Sequence, residues 1–157
     1  MGREEFTRRV LAIRARLYRT AWLYLGSEAD ALEAVDEAVY QALRSLKKLR
    51  QPQFFETWLT RILINECKKE LRRRHRFAPV EEVPETAAPE ALDHLPLKDA
   101  IRRLPEDLRA VIVLRYFAGL SQAETAETLG IPQGTAATRQ RRALELLRLE
   151  LGEEAST

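Results

Sequence analysis

Hydroxyl and guanidinium side chains are concentrated in a short segment near the C-terminal end of the sequence. Such groups donate hydrogen bonds to phosphate oxygens and to base edges when a helix lies in the major groove of DNA. Leucines follow the segment at helical spacing, which predicts a single helix with a polar, basic first half and an apolar second half. The candidate contact residues are Thr135, Thr138, Arg139, Arg141 and Arg142.

The residues before this segment predict a shorter helix and a tight turn. Ser121 and Glu124 have the spacing of a capping box, which satisfies backbone donors at a helix start. Gly130 is suited to end that helix because glycine adopts the left-handed conformation without strain, and Pro132 suits the first turn of the next helix. With the basic helix that follows, the pattern is typical of a DNA-binding helix-turn-helix. An ordinary helical hairpin is the alternative interpretation.

The whole chain has the composition of a globular helical protein. Of its 157 residues, 45% are hydrophobic and 32% are charged. Apolar residues recur at three and four spacing almost throughout, without an alternating strand pattern, so we predict an all-α fold. No apolar run is long enough to cross a membrane, and the N-terminal residues lack an apolar signal core. We therefore expect a cytoplasmic protein without membrane insertion.

Charge divides the sequence into three parts. Residues 1–76 contain 17 Lys and Arg against 10 Asp and Glu, and residues 97–157 contain nine charges of each sign. Residues 77–96 contain five acids, no Lys or Arg, and four of the seven prolines, a composition that keeps a chain extended. We predict two small helical domains joined by a flexible linker at residues 77–96. The basic first domain suits a polyanionic partner, although a solvated helix surface would have the same charge.

Within the first domain, three helices are predicted at about residues 4–25, 27–49 and 56–76. The second helix carries an acidic patch beside its apolar face, formed by Glu33, Asp36 and Glu37. Asn65 interrupts the apolar positions of the third helix, and a basic run follows it from residue 68 to residue 76. In the second domain, helices are predicted at about residues 97–104 and 105–119, before the helix-turn-helix.

Two adjacent aromatic residues, Phe54 and Phe55, close the loop at residues 51–55, and both cannot point into one core. Exposed aromatic side chains beside a basic helix are suited to stacking on unpaired bases. The basic run could equally be a solvated helix end that complements the helix dipole. Nucleic-acid contact is thus one of two interpretations of this region.

The sequence contains no recognisable catalytic or cofactor site. No glycine-rich phosphate loop follows a strand, and no cluster of metal-ligand residues is present. His75 lies in the basic run and His94 in the linker, and Cys67 is the only cysteine, spaced four residues from Leu63 and Leu71 as a packed side chain would be. We expect no enzyme activity, no cofactor and no metal.

The order of these parts resembles the small, extracytoplasmic-function (ECF) group of bacterial RNA polymerase sigma factors, which keep sigma regions 2 and 4. DALEAVDEAVYQAL at residues 30–43 resembles the polymerase-binding helix of that family. FETWLTRILINECKKELRRR at residues 55–74 resembles its promoter-melting and −10-reading helix. LPEDLRAVIVLRYFAGLSQAETAETLGIPQGT at residues 104–135 follows region 4 closely.

The resemblance implies a role for each candidate residue. Glu33, Asp36 and Glu37 would contact the clamp helices of the largest polymerase subunit, with Asp36 at a position where the family commonly has Gln. The second domain would contact the flap region and the −35 element through Thr135, Thr138, Arg139, Arg141 and Arg142. An anti-sigma factor would control the protein. Promoter DNA at the −10 element would be contacted by Arg50, Phe54, Phe55, Asn65, Lys68, Lys69, Arg72 and Arg73, with the loop at residues 50–55 forming the pocket for a flipped base.

The recognition helix departs from the family pattern at three positions. Ala137 replaces a customary cation, Gln140 puts an amide where an apolar residue is usual, and Leu144 stands where a basic residue is common. Arg141 and Arg142 supply charge nearby. Two other functions are compatible with such a chain: a sigma-like decoy or adaptor that binds polymerase without reading promoters, and a stand-alone helix-turn-helix repressor. The acidic patch has no role in the repressor.

Overall fold

The computed structural model describes residues 1–77 and 96–155 of the chain, and these residues form seven α-helices and no strand, which confirms the all-α prediction. The helices separate into two compact units, one formed by α1–α3 and the other by α4–α7. Of the predicted linker, only its two ends are described: Phe77 closes α3 and Pro96 opens α4. The helices are α1 (Arg3–Leu25), α2 (Glu28–Arg44), α3 (Phe55–Phe77), α4 (Pro96–Arg103), α5 (Glu106–Ile112), α6 (Gln122–Leu129) and α7 (Gln133–Ala155).

The corner between α1 and α2 is built as its sequence predicts. Gly26 takes the left-handed conformation at φ 72°, and its N–H donates to the Trp22 carbonyl at 2.7 Å. The Ser27 hydroxyl then accepts a hydrogen bond from the Asp30 N–H, which caps α2. α2 ends at Arg44, earlier than the predicted residue 49. The chain continues through two 3₁₀ turns, Leu46–Lys48 and Pro52–Phe54.

The two adjacent aromatics divide between core and solvent. Phe54 is 55% exposed, whereas Phe55 is 1% exposed. Phe55 is the first residue of α3, not a loop residue, and its ring packs edge-to-face on Phe6 with centroids 5.7 Å apart. The Arg9 guanidinium lies over the same ring and donates to the Pro52 carbonyl at 2.7 Å. The burial of Phe55 therefore corrects the expectation that this residue lines a base pocket, because its ring is packed inside the core of the first unit.

Cys67 is fully buried, as its spacing predicts. Burial, with a smaller contribution from the charge of Glu66, raises the pKa of this thiol to about 12. The thiolate is the nucleophilic and metal-binding form of cysteine. Cys67 is therefore a packing residue of the first unit and is held protonated across the physiological pH range.

Arg74 ties the end of α3 to the corner between α1 and α2. Its guanidinium donates to the Leu25 carbonyl at 2.7 Å and to the Asp30 carboxylate, and its Nε lies 3.5 Å from Glu70. The Arg74 side chain is only 19% exposed. One member of the basic run is therefore committed to holding three helices together.

The second unit confirms the predicted helix-turn-helix caps. Ser121 and Glu124 form a complete capping box, and Gly130 ends α6 at φ 68°. The predicted helix at residues 105–119 is not continuous α-helix: α5 ends at Ile112, and residues Val113–Phe117 form a π-helical turn. The Ala118 N–H donates to the Val113 carbonyl five residues back, at 2.9 Å. π-helical turns of this kind are frequent at functional sites.

Replacing Phe55 with alanine should destabilise the first unit by about 3–5 kcal/mol, because a fully buried ring leaves a cavity. Phe54→Ala is the matched control and should change the free energy of unfolding by less than about 0.5 kcal/mol, since that ring is exposed. Both tryptophans, Trp22 and Trp58, lie in the first unit, so their fluorescence during urea unfolding measures this unit alone. Equal effects of the two variants would contradict the division between core and solvent.

Arg74→Ala should cost about 1.5–3 kcal/mol in the same experiment, because it leaves the Leu25 carbonyl and the Asp30 carboxylate without a charged donor. Arg72, exposed on the same helix, is the matched control, and Arg72→Ala should stay within about 0.5 kcal/mol of the unaltered protein. If both variants unfold at the same urea concentration, Arg74 does not hold the corner.

Candidate functional site

A groove between α2 and α3 collects most of the polar residues predicted to act in the first unit. Its first half is a cavity of about 270 Å³ dominated by carboxylates. Glu33 and Glu37 of α2 lie on one side of this cavity. The other residues that line it are Asp30, Ala34, Glu66, Lys69, Glu70 and Arg73.

The second half of the groove is a cavity of about 330 Å³ with amide, hydroxyl and cationic groups in its walls. Asn65 lies in this wall, exposed to solvent, and Glu66 and Lys69 are shared with the acidic half. The structure thus brings together four residues predicted to contact the −10 element: Asn65, Lys68, Lys69 and Arg72. Sequence reasoning did not single out Gln41, Ser45 and Ile62, which also line this cavity.

Two of the predicted DNA-binding cations, Lys69 and Arg73, line the acidic half and are paired within α3. Lys69 Nζ lies 3.0 Å from Glu66, and Arg73 donates two hydrogen bonds to Glu70, at 2.9 and 2.6 Å. The hydrogen bond from Arg73 is the largest cause of the lowered pKa of Glu70. The three-residue spacing of both pairs is visible in the sequence and places each pair on one side of the helix.

The acidic patch of α2 divides between two sides of the helix. Glu33 and Glu37 face the groove, and Glu37 accepts a hydrogen bond from Gln41 at 2.9 Å. Asp36 instead lies 3.4 Å from Arg14 of α1. The three carboxylates are all exposed, so a partner reaching Asp36 would approach from the α1 side.

The predicted loop residues stand apart from this groove. Arg50 and Phe54 are exposed, and neither lines the cavity that contains Asn65. With Phe55 buried in the core, the predicted base pocket is reduced to Phe54 as its only accessible aromatic ring.

In the second unit, the predicted contact residues of α7 differ in their exposure to solvent. Arg141, Arg142 and Thr138 are exposed, while Thr135 is half-buried. The Thr138 hydroxyl donates to the Gly134 carbonyl at 2.9 Å. Arg139 is also half-buried, with its Nε 3.8 Å from the Asp107 carboxylate in the first turn of α5.

Metal ligands are not clustered anywhere in residues 1–77 and 96–155: no three His, Cys, Asp or Glu side chains there could hold one ion. In the same part of the chain, no helix combines the length and apolarity that a membrane span requires.

Two family models match the chain, one over each unit. The model described as Sigma-70 region 2 matches residues 10–77, and the model described as Sigma-70, region 4 matches residues 90–147. The first contains the groove between α2 and α3, and the second contains the helix-turn-helix.

Proteins of similar sequence are RNA polymerase sigma factors. RNA polymerase sigma factor SigV of Bacillus subtilis is 33% identical, over 87% of this chain and 85% of that protein. ECF RNA polymerase sigma factor SigM of Mycobacterium tuberculosis is 34% identical, over 87% of this chain and 72% of that protein.

Solved structures support the same assignment. The sigma factor RpoE of Bartonella quintana, in complex with the anti-sigma factor NepR, is similar with a TM-score of 0.79 and 25% identity, covering 95% of this chain and 98% of that one. CnrH, in complex with the cytosolic domain of CnrY, has a TM-score of 0.70 and 25% identity, covering 97% and 90%. The chain belongs to the ECF group of RNA polymerase sigma factors, transcription initiation factors of the sigma-70 family.

Proposed function

We propose that this sigma factor uses the two halves of the α2–α3 groove for two partners, core RNA polymerase and the melted promoter strand. The observation that supports this most directly is that Glu33 and Glu37 lie in a cavity adjoining the one that contains Asn65. In this proposal residues 1–76 bind polymerase and the −10 element, residues 77–96 link the domains, and residues 97–157 serve the −35 element and the flap region.

The acidic half suits a basic partner helix. Glu33 and Glu37 are exposed and one helical turn apart, so both carboxylates can meet cations on one helix of the clamp. Lys69 and Arg73 lie in the same cavity and are already paired with glutamates. We therefore place these two cations at the polymerase interface, where they would pair with partner carboxylates, rather than on the −10 DNA.

The polar half suits a single DNA strand. Asn65 and Gln41 offer amide donors and acceptors that can pair with a base edge, and Lys68 and Arg72 bring positive charge to the same wall. Phe54, exposed in the preceding turn, is the aromatic ring available for stacking. The basic composition of residues 1–76 adds the long-range attraction that any polyanion would experience.

The second unit is proposed to read the −35 element through the exposed side of α7. Arg141 and Arg142 are exposed there, and Thr138 lies one turn before Arg142. Ala137 offers no cation, so we expect these arginines to carry most of the affinity for DNA, with Arg139 partly held by Asp107. Thr135 is half-buried and would contribute at the edge of the contact.

Control by an anti-sigma factor is proposed from the solved structures. RpoE is bound to the anti-sigma factor NepR in its structure, and CnrH is bound to the cytosolic domain of CnrY. A similar partner would hold this chain away from polymerase in the cytoplasm until a signal releases it.

Charge reversal in the acidic half tests polymerase binding. Glu33→Lys and Glu37→Lys should each weaken core binding by roughly tenfold or more, because a like charge then faces the partner cations. Asp36→Lys is the matched control, an exposed carboxylate on the same helix that faces α1, and should have a smaller effect. Affinity is measured by titrating fluorescent sigma factor with core polymerase. If Asp36→Lys has the largest effect, the interface lies on the α1 side of α2.

Removal of one amide tests promoter contact. Asn65→Ala should reduce open-complex formation by roughly tenfold, because one hydrogen-bonded contact between the amide and a base edge is lost. The affinity of this variant for core polymerase should stay the same. Phe55→Leu, a packing change on the same helix, is the control, and per folded molecule it should open promoters normally. Permanganate reactivity of unpaired thymines measures opening. If Asn65→Ala opens promoters normally, the groove does not contact promoter DNA through this residue. If the wild-type protein binds core polymerase but opens no promoter, the protein is a sigma-like decoy.

A further inference from the structure

Gln140 interrupts the buried side of α7. Ala136, Ala143 and Leu147 are at most 6% exposed. Gln140 lies between them, at spacings of four and three residues, and therefore on the same side of the helix. An apolar side chain would pack there without needing a hydrogen-bond partner. A partly buried amide costs free energy unless its donors and its acceptor are hydrogen-bonded.

The amide of Gln140 has a partner at each end. Its Nε2 donates to the Tyr116 hydroxyl at 3.0 Å, and its Oε1 accepts from Arg115 Nε at 3.4 Å. The Arg115 guanidinium also lies 5.7 Å from the centre of the Tyr116 ring. These three residues form a closed polar bridge between α7 and the π-helical turn.

The same bridge reaches the start of α6. Arg115 donates a second hydrogen bond, at 2.6 Å, to the carbonyl of Leu120, the residue immediately before the capping box of α6. Leu120 is itself buried. Arg115 thus connects the π-helical turn, the entrance to α6 and the recognition helix through directional bonds.

Glutamine on a recognition helix would ordinarily be a candidate for reading adenine, because its amide can pair with two atoms of that base. In this chain both ends of the Gln140 amide are bound by protein groups. Gln140 is therefore oriented toward its own domain rather than toward DNA.

We propose that Gln140 is a positioning residue for −35 recognition, and that the polar bridge fixes the rotation of α7 about its axis. The inference rests on the proposed function of α7. Apolar contacts are non-directional, whereas hydrogen bonds are sensitive to angle, so the bridge restrains rotation more strongly than a leucine would. Successive residues of an α-helix lie about 100° apart around its axis. A rotation of α7 by less than this angle would therefore turn Thr138 and Arg142 away from the base edges.

The test is a selection for promoter sequence. The full-length protein is assembled with core polymerase and offered a library of promoter fragments in which both elements are randomised, and bound fragments are sequenced. The variants are Gln140→Leu, which keeps packing but removes the bridge, Tyr116→Phe, which removes only the hydroxyl, and Gln140→Glu, whose carboxylate can accept from both Arg115 and Tyr116. Gln133→Leu is the matched control, the same substitution at an exposed position in the first turn of α7.

We expect Gln140→Leu to lower base preference by roughly tenfold at several adjacent −35 positions, because whole contacts are displaced together. Tyr116→Phe should lower it at the same positions to a smaller degree. Gln140→Glu should keep the preference while weakening binding to all sequences alike, because it adds a negative charge. Gln133→Leu should keep the preference. If Gln140→Leu does not fold, as judged by circular dichroism, Tyr116→Phe decides the question.

Two results would overturn the proposal. Unchanged preference in both Gln140→Leu and Tyr116→Phe would show that the bridge does not position α7. Loss of preference at a single base pair in Gln140→Leu, with Tyr116→Phe unaffected, would show that Gln140 reads a base directly. If the wild-type protein itself selects a −10 sequence and no −35 sequence, the proposed −35 reading fails, and that failure is visible without any variant.

Discussion

The close packing of α2 against its neighbours is the constraint on which the first unit depends. Ala31, Ala38 and Ala42 are completely buried, and Ala34 nearly so, which gives α2 a seam of small side chains. Small residues let helices approach closely, and a larger side chain in such a seam would force them apart. The spacing of α2 from its neighbours therefore depends on Ala31, Ala38 and Ala42, none of which lines either cavity of the groove.

The basic end of α3 shows how one charged run can serve several purposes. Arg74 is used to hold the corner between α1 and α2, and Lys69 and Arg73 are neutralised by glutamates of their own helix. The net positive charge of the run thus overstates the charge available to DNA. The same reasoning applies to α7, where Asp107 lies within reach of Arg139.

The sequence was sufficient for the features that depend on local chemistry. Ser27, Gly26, Ser121 and Gly130 act as caps because their conformations and hydrogen bonds involve only near neighbours. It was insufficient where a side chain chooses between partners distant in the chain. That Phe55 rather than Phe54 enters the core depends on Phe6, and the unusual Gln140 is explained by Arg115 and Tyr116, about 25 positions earlier.

The buried thiol of Cys67 has a practical consequence for spectroscopy. It is the only cysteine of the chain, it is shielded from solvent, and it is protonated at neutral pH. Alkylating reagents react with thiolates, so they will discriminate strongly against Cys67 while the first unit remains folded. A second cysteine introduced at an exposed position would then take up a dye or spin label selectively, without removal of the native residue. The protein is therefore already suited to distance measurements during assembly with polymerase.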